Sequence, residues 1–237
     1  MGHGRSLNYH RLAASGDPQL LLVGGADHKT GQGGELESFE ALEAYARRHF
    51  RVERIEHRWS AEFYEPDDGL PFIGQMALSR HLYAATGYSG TGMTFGTLAG
   101  QIVTDRFLGR ENPLADVFSP TRINAVAGAT DFIKENVNVA KRFVADRFKG
   151  KEIDGAENLQ PGEGVLGRID GEQVALYRDE KKLLHAMSPV CTHAGCIVHW
   201  NAAEKTWDCP CHGGRYSATG ERIYGPPAED LGHAALD

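Results

Sequence analysis

The sequence has little cysteine and no long apolar run. Only four of its 237 residues are cysteines, and all four lie between positions 191 and 211. A disulfide framework would distribute its cysteines along a secreted chain, so this clustering favours a metal site. No stretch approaches the roughly 20 apolar residues that a membrane-spanning helix needs. The sequence therefore predicts no membrane span.

Excess positive charge is also absent. The chain has 25 Lys and Arg residues against 32 Asp and Glu residues, a formal net charge of −7. This balance gives no reason to expect nucleic acid as a partner. The first six residues contain no apolar run of the kind that a secretory signal needs. We therefore expect a cytoplasmic protein.

Strand and helix signals alternate in the first part of the chain. Short apolar runs next to glycines indicate buried strands, and apolar residues at helical spacing indicate amphipathic helices. The predicted strands are 20–23, 52–64 and 82–86, and the predicted helices are 36–50, 93–108 and 132–148. This alternation of strands and helices predicts an α/β region.

The pattern of predicted secondary structure changes near residue 150. Residues 150–164 are rich in turn-forming residues, and short strand-like runs follow at 165–169, 173–178, 183–187 and 197–200. Asp170-Gly171 between the first two runs is a two-residue hairpin signal. We predict an α+β chain with two domains, 1–149 and 150–237, of which the second is small, mostly antiparallel and β-sheet.

The candidate metal ligands lie in the second region as two mixed pairs. Cys191 and His193 form the first pair, and Cys209 and His212 form the second. Each pair supplies one thiolate and one imidazole from a short loop. Two cysteines and two histidines suit a tetrahedral zinc ion, but mixed pairs in both loops favour a two-iron cluster. Zinc stays open as an alternative.

This pattern resembles the Rieske iron–sulfur family over about residues 158–230. The family motif is Cys-x-His, a gap of about fifteen to seventeen residues, and then Cys-x-x-His. The resemblance implies a [2Fe–2S] cluster with Cys191 and Cys209 on one iron and His193 and His212 on the other. Two neutral imidazoles leave such an oxidised cluster without net charge, so the added electron is easier to accommodate in a low-dielectric site.

The same resemblance implies roles for residues near the ligands. In the Rieske proteins of electron-transfer complexes, the cysteines that correspond to Cys196 and Cys211 form a disulfide. We therefore expect a Cys196–Cys211 bond here, with two free thiols as the alternative. Tyr216 stands where family members donate a hydrogen bond to sulfur. Gly214 stands where many members carry a serine and has no hydroxyl to donate. We therefore predict a midpoint potential below that of high-potential relatives.

A glycine-rich loop joins a predicted strand to a predicted helix in the first region. Its sequence, from Gly87 to Met93, and the segment 68–74 resemble the C-terminal half of flavin-dependent oxidases of the D-amino-acid-oxidase and glycine-oxidase type. This resemblance covers about residues 18–145. It implies that Gly90, Gly92 and Met93 approach a flavin.

The chain departs from these oxidases at one point. It has no Gly-x-Gly-x-x-Gly unit of the kind that binds the ADP half of FAD. We expect the chain to correspond to the C-terminal portion of a longer flavoprotein and to hold FAD poorly by itself. A flavin-bearing electron donor or acceptor is therefore the expected partner.

Three functional hypotheses follow. The first is an oxidoreductase electron-transfer unit that couples the [2Fe–2S] cluster to a flavin. The second is a non-catalytic cluster-binding module that docks on a separate FAD-binding chain. The third is a structural domain stabilised by zinc.

Overall fold

The computed structural model describes residues 9–12, 20–122, 129–148 and 158–234. The strands within them are β1 (Tyr9–Leu12), β2 (Leu21–Gly24), β3 (Phe72–Gln75), β4 (Tyr83–Thr86), β5 (Gly164–Ile169), β6 (Glu172–Arg178), β7 (Leu184–Met187), β8 (His199–Asn201), β9 (Thr206–Asp208), β10 (Arg215–Ser217) and β11 (Arg222–Tyr224). The helices are α1 (Glu35–His49), α2 (Gly92–Phe107) and α3 (Ala129–Ala145), and a 3₁₀ turn (Asp146–Phe148) follows α3. Helices with antiparallel sheets confirm the predicted α+β class. Among the described residues, none of the helices combines the length and the apolar character needed to cross a membrane.

The chain forms two compact units. The first comprises Met1–Ser60 and Val139–Asp237, and the second comprises Ala61–Asn138. These units are defined by contacts within the structure, whereas the predicted division into 1–149 and 150–237 follows the sequence pattern and the family resemblances. That division stays a prediction.

Two antiparallel sheets form the framework of the described C-terminal residues of the first unit. One has the strand order β5-β6-β7, and the other has the order β11-β10-β9-β8. Asp170 and Gly171 connect β5 to β6 with φ angles of 52° and 80°. Positive φ at both central residues is what a type I′ hairpin turn requires, so the Asp-Gly signal was correct.

The core of this unit contains three of the four cysteines. Trp207 and Tyr216 are fully buried in it, and Cys191, Cys196 and Cys209 are at most 2% exposed. The sulfur atoms of the predicted metal site thus belong to the apolar core. The loops that carry them depend on the same packing that holds the sheets together.

The predicted strand at 52–64 was wrong. The structure describes this segment, and it pairs with no strand among the described residues. Side-chain contacts hold it instead: Arg58 pairs with Glu43 of α1, and the Ser60 amide donates to Glu204 over 2.9 Å. Alternating apolar and charged residues predict a strand only where a neighbouring strand supplies backbone hydrogen bonds.

The C-terminal end of α3 is fastened to the sheets of the same unit. The Asp146 side chain is only 1% exposed, and its Oδ2 lies 3.2 Å from Nε2 of His199 on β8. Gln173 on β6 donates to the Asp146 carbonyl over 2.8 Å, and Arg168 on β5 donates to the Arg147 carbonyl over 2.7 Å. The position of this helix end is therefore fixed by three strands.

The second unit is smaller and has its own core. Strands β3 and β4 pair antiparallel, and Ile73 on β3 packs with Ala99 and Ile102 of α2 and with Phe118. The predicted strand 82–86 and helix 93–108 correspond to β4 and α2. The glycine-rich loop connects these two elements.

A buried ionic network lies beside the second cysteine loop of the first unit. The Arg215 side chain pairs with Asp208 through Nε at 3.0 Å and also with Glu204. Its Nη1 donates to the Ser60 hydroxyl over 2.8 Å and to the Tyr224 hydroxyl over 3.0 Å. Arg215 and Asp208 are 4% and 2% exposed. One buried cation thus joins β9, β10, β11 and the end of the N-terminal segment.

Replacing Arg215 with glutamine should destabilise the first unit strongly. The variant leaves the Asp208 carboxylate buried without its cation, which costs about 3–5 kcal/mol of unfolding free energy. Urea denaturation of the full chain measures this loss. The exposed Arg222, changed to glutamine, is the matched control and should cost less than about 0.5 kcal/mol. Equal losses for the two variants would contradict the network's role.

Candidate metal centre

The first cysteine loop runs from Cys191 to Cys196. The Cys191 amide donates to the Cys196 carbonyl over 2.8 Å, and the Gly195 amide donates to the Cys191 carbonyl over 2.9 Å. Gly195 has a φ of 76°, a conformation that glycine adopts at little cost. The loop thereby closes on itself and leaves the side chain of His193 exposed.

The second loop has a similar closure. The Cys209 amide donates to the Gly214 carbonyl over 2.7 Å, and the Gly213 amide donates to the Cys209 carbonyl over 3.1 Å. Cys209 is buried, and His212 near the tip of the loop is exposed. Each loop thus directs a sulfur inward and an imidazole outward.

A disulfide bond links the two loops. It joins Cys196 to Cys211, with 6.5 Å between the two Cα atoms. This is the pairing that the family resemblance implied. Because each cysteine lies within a few residues of the candidate ligands, the bond limits how far the loops can separate.

The two remaining thiols form a coupled, buried pair. A hydrogen bond from the Cys209 thiol lowers the pKa of Cys191 to about 5, against the effect of burial, and the Tyr216 hydroxyl acts in the same direction. The hydrogen bond to Cys191 and burial together raise the pKa of Cys209. Without a cation the pair favours one thiolate and one thiol. Two thiolates at this site need the positive charge of a metal.

The two imidazoles also lie together. The ring centroids of His193 and His212 are 4.8 Å apart, and the ring planes are nearly perpendicular at 86°. Partial burial lowers the pKa of His212, and the neighbouring His193 adds to that effect. A lowered pKa favours the neutral imidazole, which is the form that binds metal.

This donor set fits a two-iron cluster better than a single ion. Among the described residues, the sulfur atoms of Cys196, Cys209 and Cys211 lie within 4.8 Å of one another. Two of these sulfurs share the disulfide, so the group does not offer three thiolates to zinc. Separate sulfur and imidazole pairs match the arrangement in which thiolates hold one iron and histidines hold the other. The assignment of the four ligands remains a prediction.

Tyr216 contacts one of these sulfurs directly. Its hydroxyl donates to Cys191 Sγ over 3.2 Å and accepts from the Thr192 amide over 3.1 Å. The ring is fully buried, which fixes the hydroxyl in this position. Thr192 in turn donates to the Glu229 carbonyl over 2.8 Å, so the first loop is also fastened to the C-terminal segment.

Gly214 is closely covered by Pro227. A Cβ atom at position 214 would lie 2.6 Å from Cγ of Pro227 and 3.5 Å from Sγ of Cys191. Gly225 approaches the second loop equally closely, since a Cβ there would lie 2.8 Å from the Gly213 carbonyl oxygen. The serine that many family members carry at position 214 therefore does not fit here unless Pro227 moves.

The predicted flavin contacts lie in the other compact unit. Gly90, with a φ of 79°, precedes α2; Gly92 is the first residue of that helix, and Met93 is 86% exposed. A Cβ at Gly90 would meet only Phe63, at 4.0 Å. The surface around this loop is open, and the role of these residues stays a prediction.

Two further contacts on the cysteine loops were not predicted. Gln32 donates from Nε2 to the Pro210 carbonyl over 3.1 Å, and Arg147 donates from Nη2 to the Gly195 carbonyl over 2.8 Å. Neither residue belongs to a recognisable ligand pattern. The only local signal is the run of glycines at 31, 33 and 34, which indicates close backbone approach without saying to what.

Family comparisons divide the chain into two parts. Residues 151–234 match the family described as the Rieske [2Fe-2S] domain, and residues 4–106 match the family described as FAD dependent oxidoreductase. Both expected resemblances are confirmed.

Individual proteins are similar to all or part of the chain. The chain is 36% identical over 221 residues to the Rieske 2Fe-2S iron-sulfur protein YhfW of Bacillus subtilis (strain 168), covering 92% of this chain but 43% of that protein. It is 32% identical over 144 residues to the cytochrome b6-f complex iron-sulfur subunit 1 of Nostoc sp. (strain PCC 7120 / SAG 25.82 / UTEX 2576), covering 59% of this chain and 71% of that subunit. The crystal structure of the plasma membrane Rieske protein PetC3 from Synechocystis PCC 6803 shares 34% identity and a TM-score of 0.28, over 30% of this chain and 74% of that one. The chain thus spans less than half of YhfW.

Replacing Tyr216 with phenylalanine should lower the midpoint potential of the reconstituted site. The variant removes the hydroxyl that donates to Cys191 and stabilises added negative charge. A hydrogen bond is worth roughly 1 kcal/mol, which corresponds to about 40 mV for a one-electron couple. Protein-film voltammetry measures the shift. Tyr177→Phe removes a hydroxyl from a ring that packs on Trp200 instead, and an equal shift there would refute the assignment.

Proposed function

Since this chain belongs to the Rieske [2Fe–2S] family, we propose that it serves as the electron-transfer unit of an oxidoreductase whose other redox centre is a flavin. The observation that carries the proposal is that the same two disulfide-linked loops carry a pair of neighbouring thiols and a pair of neighbouring imidazoles. When bound, the cluster supplies one-electron transfer between the two iron oxidation levels. The ligands in this proposal are Cys191, His193, Cys209 and His212.

The residues around this site have different roles in the proposed electron transfer. Cys191 and Cys209 supply negative charge from the buried side. His193 and His212 lie at the surface, so their exposed edges offer the shortest route for an electron to a partner. Tyr216 donates to sulfur from within the core and favours the more negative state.

The flavin half of the proposal rests on the match over residues 4–106. The matched segment contains Gly90, Gly92 and Met93 at the open N-terminal end of α2. Backbone amides at a helix N-terminus and in a glycine-rich loop can approach an electron-rich cofactor edge. We propose that a separate chain, or a further part of the same protein, supplies the dinucleotide-binding unit that completes the FAD site.

A cluster-binding module without a reaction of its own is the second candidate. It keeps the same ligands and docks on a separate FAD-binding chain. The two candidates differ in whether electrons pass between the flavin and the cluster. The expected cytoplasmic location remains a prediction in both cases.

The ligand set is tested by iron and sulfide analysis of the full chain. We expect the protein matured with iron and sulfide to contain two irons and two labile sulfides per chain and to give a rhombic EPR signal on reduction. Cys209→Ser should lose both iron and signal, since it removes one thiolate. His28→Ala, an exposed histidine outside the motif, should keep them. A colourless protein with one zinc ion would overturn the assignment.

The flavin coupling is tested with FAD as the probe. We expect the denatured chain to release less than stoichiometric FAD, because it lacks the unit that binds the ADP half. Photoreduced FAD, added without oxygen, carries two electrons and should reduce two chains, each accepting one. Absence of transfer to a cluster-loaded chain would contradict coupling, and stoichiometric FAD release would contradict the need for a second flavin-binding part.

A further inference from the structure

The two cluster loops are held at their backbones by residues outside the Rieske match. Gln32 lies within the flavin-oxidoreductase match, and its amide donates to the Pro210 carbonyl over 3.1 Å. Arg147 precedes the Rieske match, and its guanidinium donates to the Gly195 carbonyl over 2.8 Å. Pro210 directly follows one proposed ligand, and Gly195 lies two residues after another. Each cluster loop therefore accepts a backbone hydrogen bond from a residue outside the Rieske match.

Gly31 brings the backbone of the N-terminal segment against the second loop. It is buried with a φ of 65°. A Cβ atom there would lie 2.6 Å from the Asp208 carbonyl oxygen and 2.8 Å from the Pro210 nitrogen. Real Cβ atoms do not approach backbone atoms so closely, so only glycine allows this contact.

Helix α3 links the two supports. Arg142 donates from Nη2 to Gln32 Oε1 over 3.4 Å, which orients the Gln32 amide towards Pro210. One turn later, the Arg147 guanidinium stacks 3.7 Å from the centroid of the Phe143 ring, and that ring lies 3.8 Å from the Cβ position of Gly195. The end of α3 is itself fixed by the strands. These contacts form one continuous support on the two loops.

We propose that Gly31, Gln32 and Arg147 are positioning residues that hold the two cluster loops from outside the Rieske domain and set both cluster retention and midpoint potential. The proposal rests on the proposed ligand set. A loop held at its carbonyl cannot swing outward and release its ligands. A guanidinium beside the first loop also favours the added negative charge of the reduced state, which raises the potential.

The cluster site extends beyond the residues of the Rieske match. Gln32, in the flavin-oxidoreductase match, contributes one hydrogen bond, and Arg147, between the two matches, contributes one hydrogen bond and a positive charge. Both residues belong to the segment before the Rieske match. A change in this segment should alter the cluster even though no ligand changes. Ordering of outer hydrogen-bond partners typically affects metal affinity by 10–100-fold.

Two alanine substitutions test the support at Gly31. Gly31→Ala and Gly33→Ala both place a Cβ at positive φ, at 65° and 88°, so they share the backbone cost. Only the Cβ added at position 31 contacts the second cysteine loop, since nothing lies within 4 Å of a Cβ at Gly33. We expect the cluster-loaded Gly31→Ala chain to lose iron to EDTA about tenfold faster than the parent, whereas Gly33→Ala should match the parent. Equal rates for the two variants would overturn the proposal.

Substitutions at Arg147 test the electrostatic part. Arg147→Gln keeps a donor and removes the charge, and it should lower the midpoint potential. Arg147→Lys keeps the charge and should stay closer to the parent. Arg54→Gln removes an exposed charge that pairs with Glu56 and serves as the control. A potential for Arg147→Gln equal to that of Arg54→Gln would contradict the assignment.

Two further results separate the possible failures. Gln32→Leu removes the donor to Pro210 together with the acceptor of Arg142 and adds no Cβ against the second loop. It keeps the test decisive if Gly31→Ala does not fold, because cluster loss at the parental rate would then count against the support. A parent chain without iron and labile sulfide would refute the ligand set itself. A loaded parent whose variants all retain the cluster and its potential would refute only the positioning role.

Discussion

The requirement that two buried cysteines stay packed on adjacent loops, with two exposed imidazoles on the same loops, governs the candidate metal centre of the first compact unit. Two short loops cannot satisfy it alone, because each is closed only by two internal backbone hydrogen bonds. The core supplies the rest: Cys191 and Cys209 are packed with Trp207, and the disulfide holds the loops to each other. Packing in the core therefore fixes the positions of the two candidate sulfur ligands, Cys191 and Cys209.

Charge is the second constraint, because the site must hold negative sulfur within an apolar core. The Tyr216 hydroxyl offsets part of this charge through its hydrogen bond to the Cys191 sulfur. Next to the second loop, Arg215 neutralises Asp208, whose carboxylate would otherwise add a buried negative charge beside Cys209. Such pairing lowers the cost of burying Arg215 and Asp208 next to the second loop.

Local signals in the sequence predicted local structure well. The Asp170-Gly171 turn, α1, α2 and the strands around the hairpin all follow from periodicity and turn chemistry, and the candidate ligands follow from spacing within two short motifs. The segment 52–64 was misjudged because its alternation reflects side-chain contacts and not a strand partner. Gln32 and Arg147 escaped prediction for a different reason. Their acceptors lie 178 and 48 residues away, and such contacts leave no pattern in a single sequence.

The compact unit and the family match do not have the same boundaries, and the contacts explain why. Residues 151–234 contain the ligands, yet Ser60 contributes to the Arg215 network and Gln32 and Arg147 occupy carbonyls on the loops. Removal of the residues before the Rieske match would expose the Glu204 carboxylate to water, together with the Asp208 carbonyl that Gly31 covers. Water can satisfy those polar groups, but it cannot restrain the loops. Contacts from residues up to Ser60 and from Arg147 therefore belong to the same compact unit as the Rieske match, and the boundary of that unit differs from the boundary of the match.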